Sequence, residues 1–208
     1  MVFAEQSGTT ARRTGQKRQA FGTMKILMLS GHECSSDDQR ALRGFQCCTS
    51  NSPEWEMDVQ RYIRDLNVRH LKKDDSIDRM VLKVEGESTI YAFSEFGVVR
   101  ETTEKTEGMY AISFIARNNI VRGKGVGYLM LDQTLHCLKD DAANNNRTPK
   151  VVTQINPGNA ASVSLFSSYG FKDMGQDQEL PEYHIWMLKF KPESFEDKPY
   201  LFEPITLD

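Results

Sequence analysis

Residues 121–127 read Val121-Arg122-Gly123-Lys124-Gly125-Val126-Gly127, three glycines on alternate positions with cations between and before them. Upstream lies Gly108–Ala116, GMYAISFIA, apolar enough for a strand buried on both faces. Downstream, Gly127–Asp140 carries Tyr128, Leu131, Leu135 and Leu138 on one helical stripe. A glycine-rich turn between a buried strand and an amphipathic helix can point several N–H groups into one concavity. The first turn of the helix adds unpaired N–H donors and a positive dipole end. Together they suit a diphosphate, and Arg122 and Lys124 add charge beside it. Two common phosphate motifs are absent. No G-x-x-x-x-G-K-[ST] occurs, and the third glycine of G-x-G-x-x-G is replaced by Tyr128.

Working outward, Lys25–Leu29 is a short apolar run fit for a strand. Ser36–Cys48 reads as a helix opened by Asp37 and Asp38. Ser52-Pro53 reads as the cap and first residue of a second helix. Trp55, Val59, Tyr62, Ile63 and Leu66 fall on one face of it. Met80–Val84 and Thr89–Phe93 flank the turn Glu85-Gly86-Glu87-Ser88 as a hairpin, and a further strand runs to Glu101 after a bend near Gly97. The polar loop AANNNRT ends the helix that follows the glycine turn. Then come a strand at Lys150–Ile155, a helix at Ala160–Tyr169 stopped by Gly170, and strands at Phe171–Met174 and His184–Phe190. The order β, α, α, three antiparallel strands, then β-α-β-α-β-β predicts an α/β fold, one mixed sheet with helices packed on it.

The 208 residues carry 26 Lys+Arg and 29 Asp+Glu, a formal net charge of -3, and they divide into three parts. Residues 1–23 hold Arg12, Arg13, Lys17 and Arg18 against Glu5, with no apolar period, and read as a basic, disordered arm. Residues 192–208 hold five acids against Lys198, with Pro192, Pro199 and Pro204 set among aromatic and aliphatic residues. That composition argues against a helix and for an extended tail lying on an apolar surface. Residues 24–191 are the domain. No run of 18 apolar residues and no secretory leader is seen, and Cys34, Cys47, Cys48 and Cys137 form neither a disulfide framework nor a C-x-x-C pair. The expectation is a cytoplasmic, reduced protein with no membrane segment. His32-Glu33-Cys34 lacks a partner pair of suitable spacing, so no metal site is expected.

Arg122-x-x-Gly125-x-Gly127 resembles the R/Q-x-x-G-x-G/A motif of the GCN5-related N-acetyltransferase (GNAT) superfamily. About thirty residues on, Asn159-x-x-Ser162-x-x-Leu165-Phe166-x-x-x-Gly170-Phe171 is similar to its second signature, N-x-x-A/S-x-x-L-Y-x-x-x-G-F. The resemblance covers about 24–190 by element order and is specific over 110–171. It implies a GNAT-like fold, a central mixed and mostly antiparallel sheet flanked by about four helices. It also implies acetyl-CoA as acyl donor. The diphosphate would sit on Gly123, Lys124, Gly125, Val126 and Gly127 beside Arg122. The pantetheine would pair with backbone near Ile115 and Ala116, where two strands of the family's sheet splay apart. Asn159 and Ser162, in the second motif, would lie along the pantetheine or phosphate arm, and Phe166 would line the thioester end.

The implied reaction is direct attack of an amine on the thioester. The amine must lose a proton, and Glu107 at the head of the central strand, with Glu104 and Glu101 behind it, is the candidate base. A backbone N–H near Ile115–Ala116 is the candidate oxyanion donor. The family draws the thiolate's proton from the tyrosine of the second motif. Here that residue is Phe166, and Tyr169, three residues on, is the candidate substitute. The acceptor is a primary amine on a small molecule, a peptide N-terminus or a lysine, and the family forms dimers across the sheet. Two other readings stand beside this one. The first is a toxin-like acetyltransferase of aminoacyl-tRNA, with the basic arm on nucleic acid. The second is a degenerate member acting as a CoA-binding or protein-interaction module.

Overall fold

The computed structural model describes residues 26–67, 77–99 and 108–190. The two arms and Glu101, Glu104 and Glu107 lie outside them. The elements run β1 (Ile26–Ser30), α1 (Ser36–Arg43), α2 (Glu54–Asp65), β2 (Ile77–Val84), β3 (Ile90–Val98), β4 (Tyr110–Arg117), a single 3-10 turn (Asn119–Val121), α3 (Val126–Asn145), β5 (Lys150–Ile155), α4 (Ala160–Ser168), β6 (Lys172–Gln176) and β7 (His184–Lys189). All seven strands join one sheet in the order β1-β2-β3-β4-β5-β7-β6. The first four form an antiparallel meander, β5–β7–β6 an antiparallel group, and the two groups meet at the parallel pair β4/β5. The fold class expected from the element order is therefore the one observed.

Alternation along the strands divides the core between the two sheet faces. Met80, Leu82 and Val84 of β2 join Leu131, Leu135 and Leu138 of α3 in the larger cluster, while Val81 joins Leu42 of α1 and Ile63 of α2 in the smaller one. Of the stripe expected on α3, Tyr128 is the exception: it is exposed.

Several boundaries differ from the sequence reading, each for a local reason. The first helix ends at Arg43 rather than Cys48, because the Gly44 N–H turns back onto Ala41 and Leu42 carbonyls. The cap of α2 is Pro53, one residue later than expected, and the Ser52 hydroxyl accepts from the Thr49 N–H at 3.1 Å instead. No bend breaks β3 near Gly97; the strand runs through to Val98, paired with β4. Helix α3 continues through the polar residues to Asn145 and stops at Asn146, which takes the left-handed conformation at φ 51°. Gly170, at φ 87°, does follow the end of α4 as expected. Strand β4 is deeply buried at Tyr110 and Ile112, but Ser113 is exposed and Phe114 and Ile115 only half-buried, so its second half has an open side.

Helix α1 is fastened at its start by a reciprocal cap. The Ser35 N–H donates to Asp38 Oδ2 at 2.8 Å, and the Asp38 N–H donates to the Ser35 hydroxyl at 3.2 Å. Lys83 of β2 reaches Asp38 Oδ1 at 2.5 Å. Burial works against the Asp38 charge, but the Lys83 ammonium and the Ser35 bonds outweigh it and hold the carboxyl below 3.8. A depressed carboxylate contributes stability above its unfolded pKa and loses it as pH falls through the folded value. Asp38→Asn is therefore expected to cost about 1–2 kcal/mol at pH 7. Urea unfolding should show the gap to the parent closing below about pH 4.

Candidate functional site

The chain leaves β4 through an anchored turn. Asn118 donates from Nδ2 to the Ile90 carbonyl at 3.2 Å, and its Oδ1 accepts from the Ile120 N–H at 3.3 Å. Val121 is fully buried, and the Arg122 and Lys124 N–H groups close onto the Asn119 and Val121 carbonyls at 3.1 and 3.3 Å. Between and after them, Gly123 and Gly125 sit at φ 79° and 73°, conformations that glycine adopts without strain. A Cβ at either would meet nothing within 4 Å, so these glycines serve backbone shape and an open surface, not tight packing. Among the described residues, no main-chain carbonyl takes the N–H groups of Gly123, Gly125, Val126 or Gly127. They stand at the start of the twenty-residue helix α3, with the Arg122 and Lys124 side chains exposed beside them.

The open side of β4 adjoins this loop. Strands β4 and β5 pair only at Tyr110↔Val151 and Ala111↔Val152. The Thr153 hydroxyl then donates to the Ile112 carbonyl at 2.9 Å, and beyond it the strands part. Opposite the gap, β4 carries a bulge that sequence reasoning missed. Glu95 pairs with Phe114 and Phe96 with Ile112, which leaves Ser113 as the extra residue. Ile115 and Ala116 follow directly, on the edge that β5 has vacated.

The second motif is brought against the first. A Cβ on Gly127 would lie 3.6 Å from Leu165 Cδ2 of α4. The Tyr169 hydroxyl donates to the Tyr128 carbonyl in the first turn of α3 at 3.1 Å, and the two tyrosine rings lie 6.3 Å apart. Asn159 caps α4, its Oδ1 accepting from the Ser162 N–H at 3.1 Å. Phe166 is buried in the larger core and meets Phe171 edge-on at 5.0 Å. The first turn of α3 and the C-terminal end of α4 are thus held together, while Asn159 and Ser162 stand at the opposite end of α4. Glu107 falls outside the described residues.

Two further groups lie near this end of the sheet. Arg117, last residue of β4, has a buried Nη1 with no hydrogen-bond partner among the described residues. Burial, then the charge of Arg122, hold its guanidinium below the ordinary value. A buried cation beside a second cation is costly unless an anion joins them. The sequence signal was available: Arg117 is the charge that ends an otherwise uncharged strand. The second group is Tyr62, Arg79 and Glu95. Arg79 Nε donates to Glu95 Oε2 at 2.7 Å, the Tyr62 hydroxyl donates to the same oxygen, and the Tyr62 ring lies 4.7 Å from that of Phe114. Nothing in residue spacing announces this trio, because its members come from α2, β2 and β3. Burial, with Cys48 beside it, pushes the Cys47 thiol up to about 12, so it is no ready nucleophile. Among the described residues no group of His, Cys, Asp and Glu could hold a metal ion, and no helix is long and apolar enough to cross a membrane.

No protein-family profile and no curated protein sequence matches the chain. Solved structures do. The ribosomal-protein-S18-alanine N-acetyltransferase of Escherichia coli aligns at TM-score 0.52 and 15% identity, over 83% of this chain and 99% of its own. The PaiA N-acetyltransferase of Thermoplasma acidophilum, solved with coenzyme A, aligns at 0.56 and 15%, over 80% and 100%. A bacterial toxin aligns at 0.60 and 11%, over 79% and 90%. Acetyltransferases, among them one of the GNAT family, thus align over about four fifths of this chain, at identities that speak for architecture alone. The chain has the GNAT fold.

Proposed function

We propose that the chain is an acyl-CoA-dependent N-acyltransferase that moves acetyl from acetyl-CoA to a primary amine by direct attack. The observation that carries this reading is the juxtaposition of the glycine loop, with its unclaimed N–H groups, and the parted strands β4 and β5. One offers a diphosphate cradle; the other offers a slot lined by free backbone. That an acetyltransferase of the same fold was solved with coenzyme A supports the choice of donor.

In this reading Gly123 through Gly127 hold the diphosphate, Arg122 and Lys124 face it from solvent, and Arg117 supplies the buried cation. The pantetheine runs along Ile115 and Ala116, with Asn159, Ser162 and Phe166 on the α4 side. Amine nitrogen attacks the thioester carbon, the carbon–sulfur bond breaks, and the amine's proton passes to Glu107. A main-chain N–H of the Ile115–Ala116 stretch takes the oxyanion. Tyr169 supplies the thiolate's proton after leaving the Tyr128 carbonyl. Tyr169→Phe is expected to lower turnover about tenfold or more, with the acetyl-CoA KM unchanged and the alkaline limb of the pH profile altered. Turnover within about twofold of the parent would remove Tyr169 from the chemistry.

The reading as a whole is tested by thiol release from acetyl-CoA across a panel of amines, amino-terminal peptides and lysine peptides. Turnover on at least one class is expected. Donor binding without turnover on any would favour the CoA-binding or interaction module. The likeness to a bacterial toxin gives the aminoacyl-tRNA reading one specific support. Deleting residues 1–23 should cost RNA affinity in that case and leave amine acetylation unchanged otherwise.

A further inference from the structure

The sheet face that carries α1 and α2 is covered over only part of its width. Its core draws on Val81, Ile90, Phe93 and Ala116, and no residue of β5, β6 or β7 belongs to it. On β5 and β7, Val151, Ile155, Trp186 and Leu188 point into the opposite core. Strand alternation therefore turns Lys150, Val152 and Gln154, and Ile185, Met187 and Lys189, toward the α2 side. The register sets Val152 opposite Met187, Gln154 opposite Ile185 and Lys150 opposite Lys189, and Lys172 of β6 also faces Met187. Val152, Ile185 and Met187 are half-buried and belong to neither core. An apolar strip thus lies on this face with three lysines around one end.

The chain's own last segment fits it. Strand β7 ends at Lys189, at the lysine end of the strip, and the Phe190 N–H is tied to the Pro149 carbonyl at 3.0 Å. The described chain therefore leaves the sheet beside the strip. Eighteen residues can extend roughly 60 Å, several times the length of a six-residue strand. From 192 on they bring Glu193, Glu196, Asp197, Glu203 and Asp208 against Lys198, which is the complement of Lys150, Lys172 and Lys189. They also bring Phe195, Tyr200, Phe202 and Leu207, apolar surface that otherwise has no use in a soluble terminus. Pro192, Pro199 and Pro204 bar a helix and leave an extended segment as the form available.

We propose that residues 191–208 fold back over the α2-side face of β5 and β7, laying aromatic side chains on Val152, Ile185 and Met187 and carboxylates against the three lysines. This is independent of the acyltransfer reading. Hydroxyl-radical footprinting of the full chain tests it through Met187, with the exposed Met174 as an internal reference. Met187 should oxidise at least about fivefold more slowly than Met174. Tyr200→Ser/Phe202→Ser in the full chain should raise its rate about threefold or more toward that of Met174, and so should Lys150→Glu/Lys172→Glu. Circular dichroism checks that both variants keep the parent's fold. Protection of Met187 that is unchanged in the first variant overturns the proposal. So does protection that disappears on dilution together with a dimer in sedimentation, which would make a second copy the occupant.

Discussion

Gly125→Asp is expected to abolish acetyl-CoA binding while the protein stays folded. Gly125 stands at φ 73° immediately before α3, and a side chain there meets nothing within 4 Å. Aspartate is among the few residues that tolerate the left-handed region, at a cost of about 1–2 kcal/mol. Part of that is returned, because a carboxylate at the start of a helix is worth about 0.3–1 kcal/mol. The melting temperature should thus move by only a few degrees. The donor's diphosphate would meet a negative charge in place of an open cradle, and calorimetry should show affinity weakened by about 100-fold or more, roughly 2.7 kcal/mol. Gly125→Ala carries the backbone strain without the charge and should lose less than about tenfold. Unaltered binding in the aspartate variant would mean that the loop holds no phosphate.

The second large effect concerns stability. Arg79 and Glu95 form an ion pair with side chains only 8% and 6% exposed. Removing the acid in Glu95→Ala takes from a buried guanidinium the carboxylate that it pairs with, which costs about 3–5 kcal/mol. Against a total of about 5–15 kcal/mol for a domain, that is a severe loss. It should appear as a large drop in the urea midpoint. The double variant Arg79→Met/Glu95→Leu replaces the pair by apolar side chains and should recover most of the loss. A double variant no better than the single one would show that Tyr62, which also binds Glu95 and packs on Phe114, carries the energy instead.

Much of the fold was legible because its signals are local. The glycine loop, the strand at 150–155 and the stop at Gly170 each depend on a few adjacent residues, and each lies where it was expected. Boundaries failed where a neighbour in space decided the outcome. Ser36–Cys48 looked continuous, yet Gly44 turns the chain so that the Asn119 N–H can reach the Gln46 carbonyl at 2.8 Å. The bulge at Ser113 could not be read at all, because it is a relation between β3 and β4 rather than a property of either. Leu165 and Tyr169 of the second motif do meet the first turn of α3, which follows the glycine loop. Arg117 was missed because a charge ending a strand looks ordinary until its guanidinium is found buried.

The parallel pair β4/β5 has one more consequence. Strands β2, β3 and β4 follow one another directly and pair between near neighbours in the chain, whereas β5 reaches β4 only after the whole of α3 has been laid down. Contacts that close long loops form late, and a seam of two residue pairs is a weak one. During synthesis the first half of the sheet can therefore ripen alone. The cleft proposed for chemistry lies at that weak seam, where the two groups of strands part most readily.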